Sequence, residues 1–291
     1  MMQRRQFLQA MAVGVFGGAG MVATEAHAIE KAVPMPKKTE AYLRASMDQA
    51  EIEEAVRRIR NFNTAHKDDI FLSPAQFATL KKVNIRFTRL ENLVGHANFH
   101  LLGFDEAINL AKNFSSVESF SKAELDFLEE LFFRDAGAYG FNGYKPFTRL
   151  TEEIPKREVS KLPFTGNYLY RGTPVQTYNK ILRDVGDKVI LTSGVRSVIK
   201  QFRLFLHKAE ESQGNLSMAS RSLAPPGYSF HGIGDFDVGQ VGFGYLNFTE
   251  HFATTEVFKR LRDLGYVNLR YPRDNLLGVR FEPWHIKVLS V

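Results

Sequence analysis

His231, Asp235 and Asp237 fall within seven residues of the stretch PPGYSFHGIGDFDVG. Further along, RFEPWHIKV places Glu282 and His285 three apart, around Pro283 and the only tryptophan, Trp284. Side chains three apart on a regular strand point to opposite faces. For Glu282 and His285 to aim at one point the chain must kink, and Pro283, which lacks an N–H, marks the place. Together these segments offer two imidazoles, a carboxylate ligand and a spare carboxylate. A catalytic zinc needs three protein ligands, one open position for water, and a base beside it. The chain contains no cysteine, which excludes disulfides, thiolate metal sites and cysteine nucleophiles, so any metal must be held by His, Asp or Glu.

The other histidines read more plainly. His96 and His100 are four apart in VGHANFHLL, on one helical face. Ala97 stands where a zinc protease of the His-Glu-x-x-His type carries its general base, so this pair reads as packing or surface histidines. His66, His207 and His251 have no ligand-like neighbours and read as structural or solvated residues. Before the other two segments lies TSGVRSVIKQ, a strand-to-helix turn that carries Arg196, Ser197 and Gln201. A cation there can bind an anionic group or stabilise a developing oxyanion.

Several elements must position these groups. SPAQFATLKKVNIRFTRLENLV opens on Ser73 and Pro74 and repeats apolar residues every three or four, which predicts a helix. In SKAELDFLEELFF, Ser121 followed by Glu124 predicts a capping box. Residues 29–135 therefore read as a helical region, and the Gly- and Pro-punctuated 136–169 as a linker or irregular segment. From 170 to 291 the texture alternates. Helices are predicted at PVQTYNKILRDV, SVIKQFRLFLHKAEES and TTEVFKRLRDLG, and strands at DKVILTSG, YVNLRYP, LLGVRFE and HIKVLSV. Residues 212–227 form a Ser/Pro/Gly-rich stretch. This pattern predicts an α+β domain with a mainly antiparallel sheet and flanking helices.

The first 28 residues read as a targeting segment. Arg4-Arg5, a Gly/Ala-rich apolar stretch and the closing Ala26-His27-Ala28 resemble a twin-arginine export signal cleaved after Ala28, which implies a periplasmic protein. No later run is long and apolar enough to span a bilayer, so stable membrane insertion is not expected after cleavage. The formal charge of +6 suits anionic partners, but the basic residues are dispersed and show no nucleic-acid signature. Oligomeric state is not legible.

In order and spacing, the three segments resemble the zinc D-alanyl-D-alanine carboxypeptidases of the vancomycin-resistance (VanY) type, whose fold is shared with lysostaphin and the hedgehog signalling domain. The matches are Ser193-Gly194-Val195-Arg196-Ser197, Gln201, Pro226-Gly227-Tyr228-Ser229-Phe230-His231, Gly234 and Glu282-Pro283-Trp284-His285. The resemblance spans about residues 170–291. It implies a zinc held by His231, Asp237 and His285, with Glu282 as general base and Arg196 steadying the carbonyl oxygen. It also implies that Ser229, Gln201 and Ser197 hold the substrate. The implied reaction removes the terminal D-alanine from peptidoglycan stem peptides. The alternatives are a same-fold D,D-dipeptidase, L,D-carboxypeptidase or D,D-endopeptidase, or a non-catalytic wall-binding module. Two departures stand out. His231 and Asp237 have five residues between them, one fewer than the family pattern, which leaves Asp235 as a rival ligand. Phe236 replaces a small residue and is expected to narrow the cleft.

Overall fold

The computed structural model describes residues 40–288, so the export signal expected at 1–28 lies outside the described residues. All described residues fall in one compact unit. No described helix is long and apolar enough to cross a membrane.

The N-terminal region is helical. Helices α1 (Glu40–Ser46) and α2 (Gln49–Arg60) lead to the long α3 (Pro74–Val94), the single turn α4 (His96–Phe99), α5 (Phe104–Asn113) and α6 (Lys122–Phe133). Ser73 and Gln76 close a reciprocal capping box on α3, and Ser121 and Glu124 do the same on α6. In each case two orphan N–H groups at the helix start are satisfied by neighbours in sequence. The apolar faces of α3 (Leu80, Val83, Phe87, Leu90) and α6 (Phe127, Leu128, Leu131, Phe132) meet that of α8 (Val198–Glu211), with Phe202, Phe205 and Leu206, in one continuous core. Each of these buried side chains contributes about 2 kcal/mol by transfer from water. The helical region and the C-terminal segment therefore share a core.

A buried ion pair ties them as well. Arg221 grips both oxygens of Asp69 at 2.7 and 2.9 Å and also donates to the Thr64 carbonyl. The Asn215 amide adds a bond of 2.7 Å to the same carboxylate. Arg221 belongs to α9 (Leu216–Ser222), a short helix inside the Ser/Pro/Gly-rich stretch. Asn215 explains it, because its side chain caps the helix through the Met218 N–H.

Between the two regions, residues 136–169 are not featureless. They contain two 3₁₀ turns and strand β1 (Val159–Lys161), which pairs antiparallel with β2 (Tyr168–Tyr170). Helix α7 (Thr173–Val185) follows. The central sheet has the order β3 (Val189–Ser193), β4 (Phe236–Gln240), β5 (His285–Ile286), with all pairs antiparallel. Helix α10 (Glu256–Asp263) packs with α7 beside it, over Tyr178, Ile181, Leu191, Val238 and Leu261.

The strands expected at YVNLRYP and LLGVRFE do not form. Their backbone groups bond to a helix carbonyl, a loop residue and a local side-chain amide instead of a ladder. Arg280 N–H donates to the Arg221 carbonyl, the Leu277 carbonyl accepts from Asn142, and the Asn275 amide bridges the Pro272 and Val279 carbonyls. Of the strand expected at HIKVLSV, the described residues pair only at His285–Ile286, and the Val288 N–H bonds to the Asp235 carboxylate instead.

Candidate metal centre

The register of the small sheet assembles the site. Asp237 on β4 pairs with Ser193 on β3 and with His285 on β5. The β3–β4 register shifts between Leu191 and Ser193, a bulge of the kind that re-aims side chains beside a site. His231 sits in a 3₁₀ turn (Phe230–Gly232) just before β4. Gly234, at φ +128°, then turns the chain into the strand through backbone that an L side chain rarely adopts. Gly232 allows a different contact, since a Cβ there would lie 2.5 Å from the Phe147 ring.

His231, Asp237 and His285 are all buried, and one ligand atom from each lies within 4.8 Å of the other two. Asp237 Oδ1 is 3.2 Å from His231 Nε2 and 3.1 Å from His285 Nδ1. The His231 Nδ1–H donates to the Gly194 carbonyl at 2.7 Å, and a carbonyl can only accept. That bond fixes the tautomer and leaves the Nε2 lone pair facing the Asp237 carboxylate. Burial, helped by the nearby Arg196 charge, lowers the His231 pKa and favours the neutral ring. Two electron-rich atoms directed at one another in a dry pocket are the arrangement a cation relieves.

His285 is held at both nitrogens. Its Nδ1 faces Asp237, and its Nε2 bonds to Asp235 Oδ2 at 2.9 Å. Burial opposes its charged form, but the two aspartates override this and lift its pKa to about 9. Asp235 is itself gripped by Arg270 at 2.6 Å and by the Val288 N–H. It therefore stands behind His285 and outside the triad of ligand atoms. A carboxylate behind a ligating histidine sets the ring's tautomer and orientation. Asp237 stays ionised despite its burial, because the hydrogen bond from His285 and the Arg196 charge hold its pKa far below the usual carboxylate range.

Glu282 lies beside the triad. A turn at Pro283 and Trp284, with the His285 N–H bonded to the Glu282 carbonyl, brings Glu282 Oε2 to 4.0 Å from His285 Nδ1. Burial lifts the Glu282 carboxyl to about 7, with His285 pulling the other way and Asp237 reinforcing the rise. Arg196 donates to Asp237 Oδ2 at 2.7 Å and to the Ser193 hydroxyl at 3.0 Å. These groups line a cavity of about 340 Å³, whose wall also includes Ser229, Thr192, Lys200, Tyr271 and Arg280. Arg280 lies between the rings of Phe62 and Trp284.

Three sequence expectations meet a different placement. Ser197 and Gln201 are not among the cavity-lining residues. The Ser197 hydroxyl caps α8 through the Lys200 N–H, and the Gln201 amide bonds to the Ala224 carbonyl. Phe236 does not narrow the cleft, because strand alternation turns it away from Asp237 into the core against Tyr178, ring centroids 5.9 Å apart. Asp235, weighed as a rival ligand, occupies the position behind His285. Arg270 was not singled out as a site residue. Nothing local in the sequence pairs it with Asp235, 35 residues away.

Comparison with known proteins adds to this geometry. No protein of curated function matches the chain. Among solved structures, the vancomycin-resistance D,D-pentapeptidase VanY from a VanB-type cassette, a mutant form in complex with Zn(II), is 26% identical. The alignment covers 47% of this chain and 83% of that one, with a TM-score of 0.37. VanYB in complex with D-alanine-D-alanine is also 26% identical, over 47% of this chain and 81% of that one, at a TM-score of 0.38. The LD-carboxypeptidase LdcB is 25% identical over 50% and 64% of the two chains, at a TM-score of 0.35. The family model described as D-alanyl-D-alanine carboxypeptidase, VanY, matches residues 173–290, the segment that holds Arg196, His231, Asp237, Glu282 and His285. Residues 173–290 are a VanY-family domain.

Proposed function

We propose that this chain is a zinc-dependent D-alanyl-D-alanine carboxypeptidase that removes the terminal D-alanine from peptidoglycan stem peptides. The observation that carries this reading is the buried triad His231, Asp237 and His285, with Glu282 beside it on the wall of one cavity. The donor set fits zinc: two imidazole nitrogens and one carboxylate oxygen converge, and the far nitrogen of each ring is held by the Gly194 carbonyl or Asp235. Bound there, zinc supplies Lewis acidity toward a carbonyl and a water.

The chain's own residues do the remaining work. Glu282, with its pKa near neutrality, takes a proton from the attacking water and delivers it to the amine of the departing D-alanine. The C–N bond of the last peptide unit breaks as the C–O bond forms, and the proton received by Glu282 leaves on the new amino group. Arg196, already anchored on Asp237 and Ser193, presents its guanidinium to the oxygen that becomes negative. Ser229 lines the cavity where it can bond the peptide, and the cations Arg196, Lys200 and Arg280 suit a substrate that ends in a carboxylate.

Export by the twin-arginine signal read at 1–28 would bring the enzyme to the periplasm, where wall peptides lie. We assign the helices of 29–135 a scaffolding role, because they share the core that carries α8. The test is D-alanine release from a stem pentapeptide ending in D-Ala-D-Ala. Release should be lost on chelation and restored by zinc. A folded, zinc-loaded protein that releases nothing would overturn this reading, and tetrapeptide and cross-linked substrates would then separate the L,D- and endopeptidase alternatives.

A further inference from the structure

Outside the triad, the structure brings a second histidine pair to the same cavity. His96 and His100, at either end of α4, both line it, although they lie outside the VanY-matched segment. Their rings meet edge to face with centroids 4.9 Å apart, and the two Nε2 atoms are 3.3 Å from one another. Two nitrogens bound at ordinary zinc distances to one tetrahedral ion also lie about 3.3 Å apart. Behind the pair, Glu91 Oε1 lies 2.9 Å from His96 Nδ1, the carboxylate–histidine arrangement that orients a ligating ring. His100 is buried and is held neutral by that burial, with a pKa of about 3, so its nitrogens keep a lone pair for a metal.

We propose that His96 and His100 form a second, weaker site for a divalent transition metal such as zinc on the wall of the catalytic cavity, and that filling it inhibits peptide cleavage. The site is weaker than the triad for two reasons. It has two protein ligands instead of three, and the Lys200 ammonium sits 3.2 Å from the Glu91 oxygen that would balance the metal's charge. The positions left open on such an ion face the cavity, where a substrate carboxylate or a water would occupy them. The sequence alone argued against a metal role here because Ala97 is not a base. An inhibitory or substrate-binding ion needs no base.

The binding part of this proposal is independent of the carboxypeptidase reading, and the inhibitory part rests on it. Zinc and cobalt(II) binding would be measured by equilibrium dialysis on the full chain, its His96→Ala variant and its His231→Ala variant. His96 is the better position to change because its side chain is 63% exposed and its loss leaves the core intact. Wild type should take up two equivalents, a tight and a weaker one. His96→Ala should keep only the tight one, and His231→Ala only the weaker one. Excess zinc should slow D-alanine release by wild type several-fold more than release by His96→Ala, each relative to its own rate at one equivalent. A simple hydrogen bond between the two rings predicts a single equivalent in wild type, and that result overturns the proposal. A second equivalent that survives in His96→Ala also overturns it. Equal inhibition of both proteins removes the inhibitory role. No D-alanine release at one equivalent counts against the carboxypeptidase reading and leaves the stoichiometry to decide the second site.

Discussion

Asp235 Oδ2 accepts from His285 Nε2 at 2.9 Å while Arg270 Nη2 holds the same oxygen at 2.6 Å. The carboxylate is thereby fixed on two sides, and it fixes the ring in turn. Replacing Asp235 with Asn keeps the shape but removes the charge that orients and enriches the imidazole. Zinc affinity should fall roughly 10–100-fold, the usual cost of losing such a partner. Competition with a chelator of known affinity checks this. In Asp237→Ala the tight site should vanish. If Asp235→Asn abolished binding while Asp237→Ala retained it, the two aspartates would have exchanged roles.

Glu282 carries the proton and holds no metal in the proposed mechanism. Glu282→Gln should lower kcat by roughly 10²–10⁴-fold, the range for a positioned acid–base group, with zinc affinity close to wild type. Rate measurements paired with metal content distinguish this from a ligand, whose loss would lower both together.

Gly194 has no room for a side chain. A Cβ there would lie 2.0 Å from the Tyr168 carbonyl oxygen, and the Gly194 carbonyl is the acceptor that sets the His231 tautomer. Gly194→Ala should therefore push β2 and the His231 anchor apart. We expect a loss of about 1–3 kcal/mol in stability together with weakened zinc binding. Thermal melts with and without zinc measure both effects. A variant that melts like wild type would mean the loop absorbs the methyl group.

The Asp69–Arg221 pair makes stability pH-dependent in a defined window. Desolvation pushes the Asp69 pKa up, but Arg221 and Asn215 override it and hold it at about 2, below the ordinary 3.8. Its folded-state pKa is depressed, so its contribution is fully present above pH 3.8 and is lost as pH falls toward 2. The shift corresponds to about 2 kcal/mol. Asp69→Asn should flatten that part of the stability profile in urea titrations. It should also cost about 3–5 kcal/mol near neutrality, because Arg221 is left buried without its partner.

The candidate site was legible in its residue types and their order. Histidine and carboxylate segments in a chain without cysteine pointed to a His/Asp metal site. The capping signals at Ser73 and Ser121 placed two helices, because such bonds join residues three apart and need nothing distant. Tertiary structure decided what distant partners control. Asp235 and Asp237 are two apart and face the same side of the chain, so alternation could not rank them. They were separated by the two nitrogens of one ring, that of His285, delivered by β5 from 50 and 48 residues away. Ser197 and Gln201 matched a motif, yet their polar groups serve a helix cap and a neighbouring carbonyl, which only the folded backbone shows. The expected strands at 266–272 and 276–282 were lost because helix carbonyls, the 142 loop and local turns took their backbone hydrogen bonds. His96 and His100 reached the cavity because the shared apolar core of α3, α6 and α8 carries the helical region against the VanY-family domain. Burial of apolar surface is non-directional, and short-range sequence patterns do not record which surfaces it brings together.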